Sequence, residues 1–260
     1  MAFTRMGQNQ IFSSQKYQIL NEILRESKST VFLGGAGVST ESGIPDFRSK
    51  DGLYRKKDRR FSKYQPEYLL SSRCLKQEPV IFFDFCRKKL DVRNVQPNAA
   101  HRKLAEMERT GMLTGVITQN IDGLHQKAGS KNVQEIHGSV LRSYCVSCHT
   151  QYGADYIFEH SEELIPRCPA CGKIIRPDVT LYGETLPAEA YEAAISLIRY
   201  ADCLIIGGTS LAVGSAAQLA HLYHGPRLII INKDKTKLEG RADLVFHDSI
   251  SEVMTQIQIG

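Results

Sequence analysis

The stretch Val31-Phe32-Leu33-Gly34-Gly35-Ala36-Gly37 limits the possible folds more than any other part of the chain. An unbroken apolar run buries both faces of a strand, which is the habit of a parallel sheet covered on each side. The strand then breaks at once into glycines, and Ser39, Thr40 and Ser42 offer hydroxyls and helix-capping groups. A strand that ends in glycines before a helix start aims backbone N–H groups at an anion, and the helix dipole adds to the attraction. Glycine suits the turn because a Cβ would hold a phosphate off the backbone. Gly35, Ala36, Gly37 and Thr40 are therefore candidate phosphate-binding residues.

Other apolar runs repeat the theme. Strands are expected over 116–118, 133–136, 203–208, 227–231 and 243–247, with helices over 15–27, from 97 to 111, and over 189–200. Alternating strands and helices give an α/β fold, a doubly wound, Rossmann-like parallel sheet. Ligands in such sheets sit at the carboxyl ends of strands, where Gly35, Gln119, Gly208 and Asn232 converge. The chain reads as one catalytic domain, residues 1–260. Its large lobe is expected over about 15–49, 97–142 and 175–260. A small lobe would combine a helical insert, about 50–96, with a cysteine module, about 143–174. Phe82, Phe83 and Phe85 in the insert read as core. No internal repeat or low-complexity segment is visible.

Cys145-x-x-Cys148 and Cys168-x-x-Cys171 are two knuckles at the spacing of a structural zinc ribbon. Four thiolates suit one tetrahedral Zn²⁺ and leave no open position for catalysis. Cys145-Val146-Ser147-Cys148-His149 also matches a c-type haem attachment pattern, but the second pair and the lack of an export signal argue against haem. Cys74, Cys86 and Cys203 read as small apolar packing groups. Seven cysteines without a secretory signal point to reduced thiols and a cytoplasmic location. No stretch qualifies as a membrane span: 203–222 is broken by glycines and polar residues. The net charge of +5 reads first as a solvated surface and otherwise as one that attracts acidic partners. The basic run 55–60 is interrupted by Asp58 and carries no interleaved aromatics, so nucleic acid is an unlikely partner.

The glycine turn lacks the usual dinucleotide fingerprint and continues into Ser42-Gly43-Ile44-Pro45-Asp46-Phe47-Arg48. That long segment resembles the signature of the sirtuins, the NAD-dependent protein deacylases. Gln119-Asn120-Ile121-Asp122, His137-Gly138, Tyr182-Gly183-Glu184 and Gly208-Thr209-Ser210-Leu211 resemble further sirtuin segments, in order with the four cysteines. The likeness covers roughly residues 31–232. It implies an enzyme that uses NAD to remove acetyl groups from lysines of proteins or peptides, giving nicotinamide, deacetylated protein and O-acetyl-ADP-ribose, with nicotinamide also an inhibitor.

By the same resemblance His137 would be the base and Asn120 would hold ribose hydroxyls and a water. Asp122, with Ile121 beside it, would bind the nicotinamide carboxamide. Phe47 would cover the nicotinamide site, and Asp46 and Arg48 would hold its mobile loop and the phosphate side. Gln119, Gly208, Thr209, Ser210 and Asn232 would complete the cofactor site. Lys233, Ser249 and Ile250 would edge the adenine, and Thr180, Tyr182, Gly183 and Glu184 would meet the substrate peptide. The chain departs from the family where Val213-Gly214-Ser215 occupies a region that often carries Pro, and where Tyr182 replaces a common Phe. Family members that prefer acidic acyl groups carry a Tyr-x-x-Arg pair. The matching stretch here, Asp84 to Arg87, is expected to pair with itself and to disfavour succinyl-lysine, while the three phenylalanines could line an apolar tunnel. Protein ADP-ribosyl transfer, or a non-catalytic zinc-ribbon scaffold binding NAD or nucleic acid, are the alternatives.

Overall fold

The computed structural model describes residues 3–46, 52, 58–159, 164–211 and 214–259. Its centre is a six-stranded sheet of β1 (Thr30–Gly34), β2 (Gly115–Thr118), β3 (Val133–Glu135), β7 (Cys203–Gly207), β8 (Arg227–Ile231) and β9 (Leu244–Phe246). The order is β3-β2-β1-β7-β8-β9 and every pairing is parallel. The chain winds outward from β1 to β2 and β3 on one side, and from β7 to β8 and β9 on the other. The winding reverses between β1 and β7, which are in register from Thr30↔Cys203 to Gly34↔Gly207.

The central strands alternate between two cores, as a sheet buried on both faces requires. Phe32, Ile205 and Ile229 face helices α1 (Phe3–Glu26), α5 (Ala99–Arg109) and α10 (Ile250–Thr255). Val31, Leu33, Leu204 and Ile206 face α8 (Ala188–Tyr200) and α9 (Gly214–His221). The short α6 (Leu124–Ala128) follows β2. Helix α1 starts at Phe3, well before the apolar stripe that predicts a helix over 15–27.

A third core lies apart from the large sheet. Helices α2 (Pro66–Leu69), α3 (Ser72–Gln77) and α4 (Pro79–Lys89) contribute Leu69, Phe82, Phe83, Phe85 and the thiol-bearing Cys74 and Cys86. Helix α7 (Asp155–Phe158) and the antiparallel strands β4 (Gly138–Cys145), β5 (Gln151–Gly153) and β6 (Ile175–Val179) pack into the same cluster. The helical insert and the cysteine module thus share one core. Strand β4 runs from beside His137 to the first metal-type cysteine, and its pairing with β6 extends from Gly138↔Val179 to Cys145↔Ile175. No helix among the described residues is long and apolar enough to cross a membrane.

Candidate active site and metal centre

At the reversal between β1 and β7 two loops pack almost without space. The Gly37 N–H donates to the Gly208 carbonyl at 2.8 Å, and a Cβ on Gly37 would stand 2.8 Å from the Gly208 Cα. Gly208 itself has φ +59, which disfavours a side chain there. Gly35 is buried beneath this contact, and a Cβ on it would meet the Thr209 Cβ at 2.8 Å. Glycine at these positions lets backbone from both halves of the sheet face one cleft.

That cleft is a cavity of about 1100 Å³. Ala36, Gly37, Thr40 and Asp46 line it from the first turn, and Gly208, Thr209, Ser210, Asn232, Lys233 and Ile250 from the strand ends opposite. Gln119, Asn120, Ile121 and His137 form its floor, and Thr180, Tyr182, Gly183 and Glu184 one wall. Three expected residues behave differently, Gly35 being buried beneath the loop contact and not among the lining residues. Ser249 is not among the lining residues; it caps α10, its Oγ accepting from the Glu252 N–H at 3.2 Å. Asp122 lines a small adjoining apolar pocket with Ile44, Pro45, Val92 and Val140, which Asn120 and Ile121 also reach. Phe47 and Arg48 lie outside the described residues.

His137 lies at the junction of β3 and β4. Its Nδ1 is 3.0 Å from the Gln119 carbonyl oxygen, and its Nε2 is 3.2 Å from the Ser215 Oγ. A carbonyl only accepts, so Nδ1 carries the proton and Nε2 is a bare acceptor. Burial pushes the His137 pKa below its ordinary value, against the smaller opposing effect of the Gln119 carbonyl, so the ring is neutral at physiological pH.

Beside it, Ser39 is a buried hub. Its hydroxyl donates to Asp122 Oδ2 at 2.7 Å and accepts from Asn120 Nδ2 at 3.0 Å. His101 Nε2 stands 3.4 Å from the same oxygen, on a ring fixed by the capping box of α5. Asp122 also accepts from the Leu124 N–H at 2.9 Å, so the turn-capping role and a place in the site coexist. Burial raises its pKa, an effect that these two hydrogen bonds oppose.

The wall formed by Thr180, Tyr182, Gly183 and Glu184 is held from behind. Buried Arg176 grips both carboxylate oxygens of Glu184 and the Val179 carbonyl. Tyr182 donates its N–H to Leu70 and accepts from the Ser72 N–H, which ties the wall to the helical insert.

Two expectations about the insert are corrected. Asp84 does not pair with Arg87; it pairs with Arg60 at 3.0 Å and Lys88 at 3.2 Å, and Arg87 donates to the carbonyls of Ile157 and Leu164. Phe82, Phe83 and Phe85 line no tunnel into the cleft, because all three are buried in the third core.

The four knuckle cysteines come together as their spacing predicts. All four Sγ atoms lie within 4.8 Å of one another, with separations of 3.4 Å for Cys145–Cys171 and 3.6 Å for Cys148–Cys168. These distances are far beyond the ~2.05 Å of a disulfide and near the ~3.8 Å edge of a tetrahedron with ~2.3 Å metal–sulfur bonds. The Tyr152 hydroxyl stands 3.1 Å from the Cys168 Sγ and can donate to a thiolate there.

Sequence reasoning missed several cleft residues. Ser39 was visible only as a hydroxyl in a turn. Ser215 and Gln218 on α9, and Asp234 and Asp248 near the strand ends, carried no motif signal.

A profile of the Sir2 family matches residues 35–215. The chain is 49% identical over 242 residues to the NAD-dependent protein deacetylase of Clostridium acetobutylicum, covering 93% of this chain and 98% of that one. It is 50% identical over 243 residues to the enzyme of the same name from Clostridium perfringens, with the same coverage. Among solved structures, a Sir2 bound to an acetylated peptide superposes with a TM-score of 0.83 at 36% identity, covering 93% of this chain and 96% of that one. A Sir2–p53 peptide–NAD⁺ complex gives 0.82 at 36% identity with the same coverage.

Proposed function

The chain belongs to the Sir2 family and is an NAD-dependent protein deacetylase, and from that premise we propose what its own residues do. NAD, as co-substrate, supplies a labile bond between ribose and a cationic base, which an acyl-lysine oxygen displaces as nicotinamide leaves. The two glycine turns, with Thr40, Thr209 and Ser210, take the phosphates. Asn232, Lys233 and Ile250 take the adenosine end. Asn120 holds ribose hydroxyls from the cleft floor. Asp122 keeps lone pairs free beyond its two hydrogen bonds and accepts from the nicotinamide carboxamide in the small pocket.

His137 then takes a proton from a ribose hydroxyl through Nε2, and the freed ribose oxygen attacks the acyl carbon. A water is consumed as the acyl C–N bond breaks and the lysine amine leaves, and the products are nicotinamide, the deacetylated protein and O-acetyl-ADP-ribose. The substrate peptide lies along Tyr182, Gly183 and Glu184. Both backbone groups of Tyr182 are already paired, so strand addition falls to Gly183. The division into a large sheet lobe and a small lobe belongs to the same reading, supported by their separate cores.

The four-cysteine cluster holds one structural Zn²⁺. The donor set, all sulfur and closed, supports that assignment over a catalytic metal. Thiols kept for a metal also favour the reducing cytoplasm.

The observation that carries the mechanism is the setting of His137, whose Nδ1 lies against the Gln119 carbonyl while the residue lines the cleft, with burial favouring the neutral ring. The test is nicotinamide release with and without an acetylated peptide, with product analysis. Release that depends on the peptide, with O-acetyl-ADP-ribose formed, is expected. Release indifferent to the peptide, or ADP-ribose attached to protein, would overturn the reading.

A further inference from the structure

The nitrogen of His137 that must act as base is already engaged. Among the described residues its hydrogen-bond partner is the Ser215 hydroxyl, 3.2 Å from Nε2, and since Nδ1–H is given to Gln119 the serine must be the donor. Ser215 is the second residue of α9. That helix is fixed from below by buried Ala216, Leu219 and Ala220, and from the side by the Tyr191 hydroxyl of α8, which donates to Gln218 at 3.3 Å. The serine is therefore presented to His137 by a packed element.

We propose that Ser215 is a positioning residue for the proton-transfer step, holding the His137 ring with Nε2 turned into the cleft until a ribose hydroxyl takes its place. A hydroxyl is both donor and acceptor, so the same oxygen serves both states of the ring. It donates to bare Nε2 in the free enzyme. Once the ribose O–H bond has broken, the N–H bond has formed and the ribose oxygen has bonded to the acyl carbon, it accepts from Nε2–H. No proton is gained or lost by the serine.

This rests on the reading of His137 as base, and the experiment separates the two. Steady-state deacetylation and nicotinamide exchange, which needs only the first chemical step, are measured for Ser215→Ala and Ser215→Thr beside His137→Ala, with thermal melting as the folding control. Ser215→Ala is expected to lower kcat for deacetylation by about three- to tenfold, the scale of one neutral hydrogen bond, and to leave exchange at its original rate. The acid limb of the pH profile should move to higher pH, because a donor to Nε2 favours the neutral ring and its loss raises the pKa. The charged groups lining the cavity, Glu41, Asp46, Glu184, Lys233, Asp234 and Asp248, are the same in every variant, so a displaced limb reports the hydroxyl. Ser215→Thr should restore both rate and limb. Equal losses in exchange and deacetylation, an unmoved pH limb, or no effect of Ser215→Ala would each overturn the proposal. Deacetylation surviving in His137→Ala would instead remove the base assignment itself.

Discussion

The two nitrogens of His137 have different partners: Nδ1 faces a carbonyl that can only accept, and Nε2 faces the Ser215 hydroxyl, which a substrate hydroxyl can replace. The Gln119 carbonyl fixes the tautomer, and burial keeps the ring neutral. A base contributes mainly to the transition state, so His137→Ala should abolish deacetylation while NAD binds within about tenfold of the parent. Calorimetry that showed NAD binding lost along with activity would reassign the residue. Two other histidines are buried for a different reason. His101 and His125 meet edge to face at 4.8 Å. Burial first, then the Arg102 charge, pushes His101 down to about 4, while burial first, then His101, pushes His125 down to about 3. The unfolded chain takes up these protons near pH ~6.5 and the folded chain does not, so stability falls as pH falls from about 6.5 towards these lower values. The melting temperature should decline steadily from pH 6.5 to 4, and His125→Phe should flatten that slope by up to one proton, about 1.4 kcal/mol per pH unit. A melting temperature indifferent to pH in that window would show the pair to be accessible to protons in the native state.

At the scale of elements, the proposed zinc would hold the cysteine module together, because β4, β5 and β6 share a core with the insert but carry few apolar residues of their own. Cys168→Ala should therefore unfold or aggregate that part of the protein, with metal lost, rather than leave a folded but slow enzyme. A stable variant with full metal content would refute a structural role. The same elements mark what a sequence can and cannot disclose. β1, β7 and β8 are legible because a parallel strand covered on both faces must be apolar throughout, as in Leu204-Ile205-Ile206. β6 is not legible. It reads Ile175-Arg176-Pro177-Asp178-Val179, and its proline and charges argue against a strand. It is a sheet edge, where proline is tolerated, and its arginine is buried against Glu184. The cleft follows the same division. Residues at strand ends could be placed because topology places them, whereas the Ser39 hub and the approach of α9 to His137 depend on how distant elements pack.

The whole molecule decides which acyl group the cleft accepts, because the lining comes from every part of the chain. Among the described lining residues of the main cavity the carboxylates are Glu41, Asp46, Glu184, Asp234 and Asp248, and the only Lys or Arg is Lys233. The adjoining pocket adds Lys89, which is paired with Asp58 at 3.2 Å. The helix that could have supplied an arginine does not. Arg87 is turned towards the carbonyls of Ile157 and Leu164, and Asp84 is held by Arg60 and Lys88. Neither Asp84 nor Arg87 lines the cavity or the adjoining pocket, so what disfavours an acidic acyl group is the absence of a suitably placed arginine among the described residues. A succinyl group would bring a carboxylate into a partly desolvated site without a bidentate partner, which costs more than its added contacts return. Acetyl- and succinyl-lysine versions of one peptide, set in competition, should therefore differ in kcat/KM by at least about tenfold in favour of acetyl. Equal or better turnover of the succinyl peptide would mean that a cation does reach the acyl group, and the charge argument would fail.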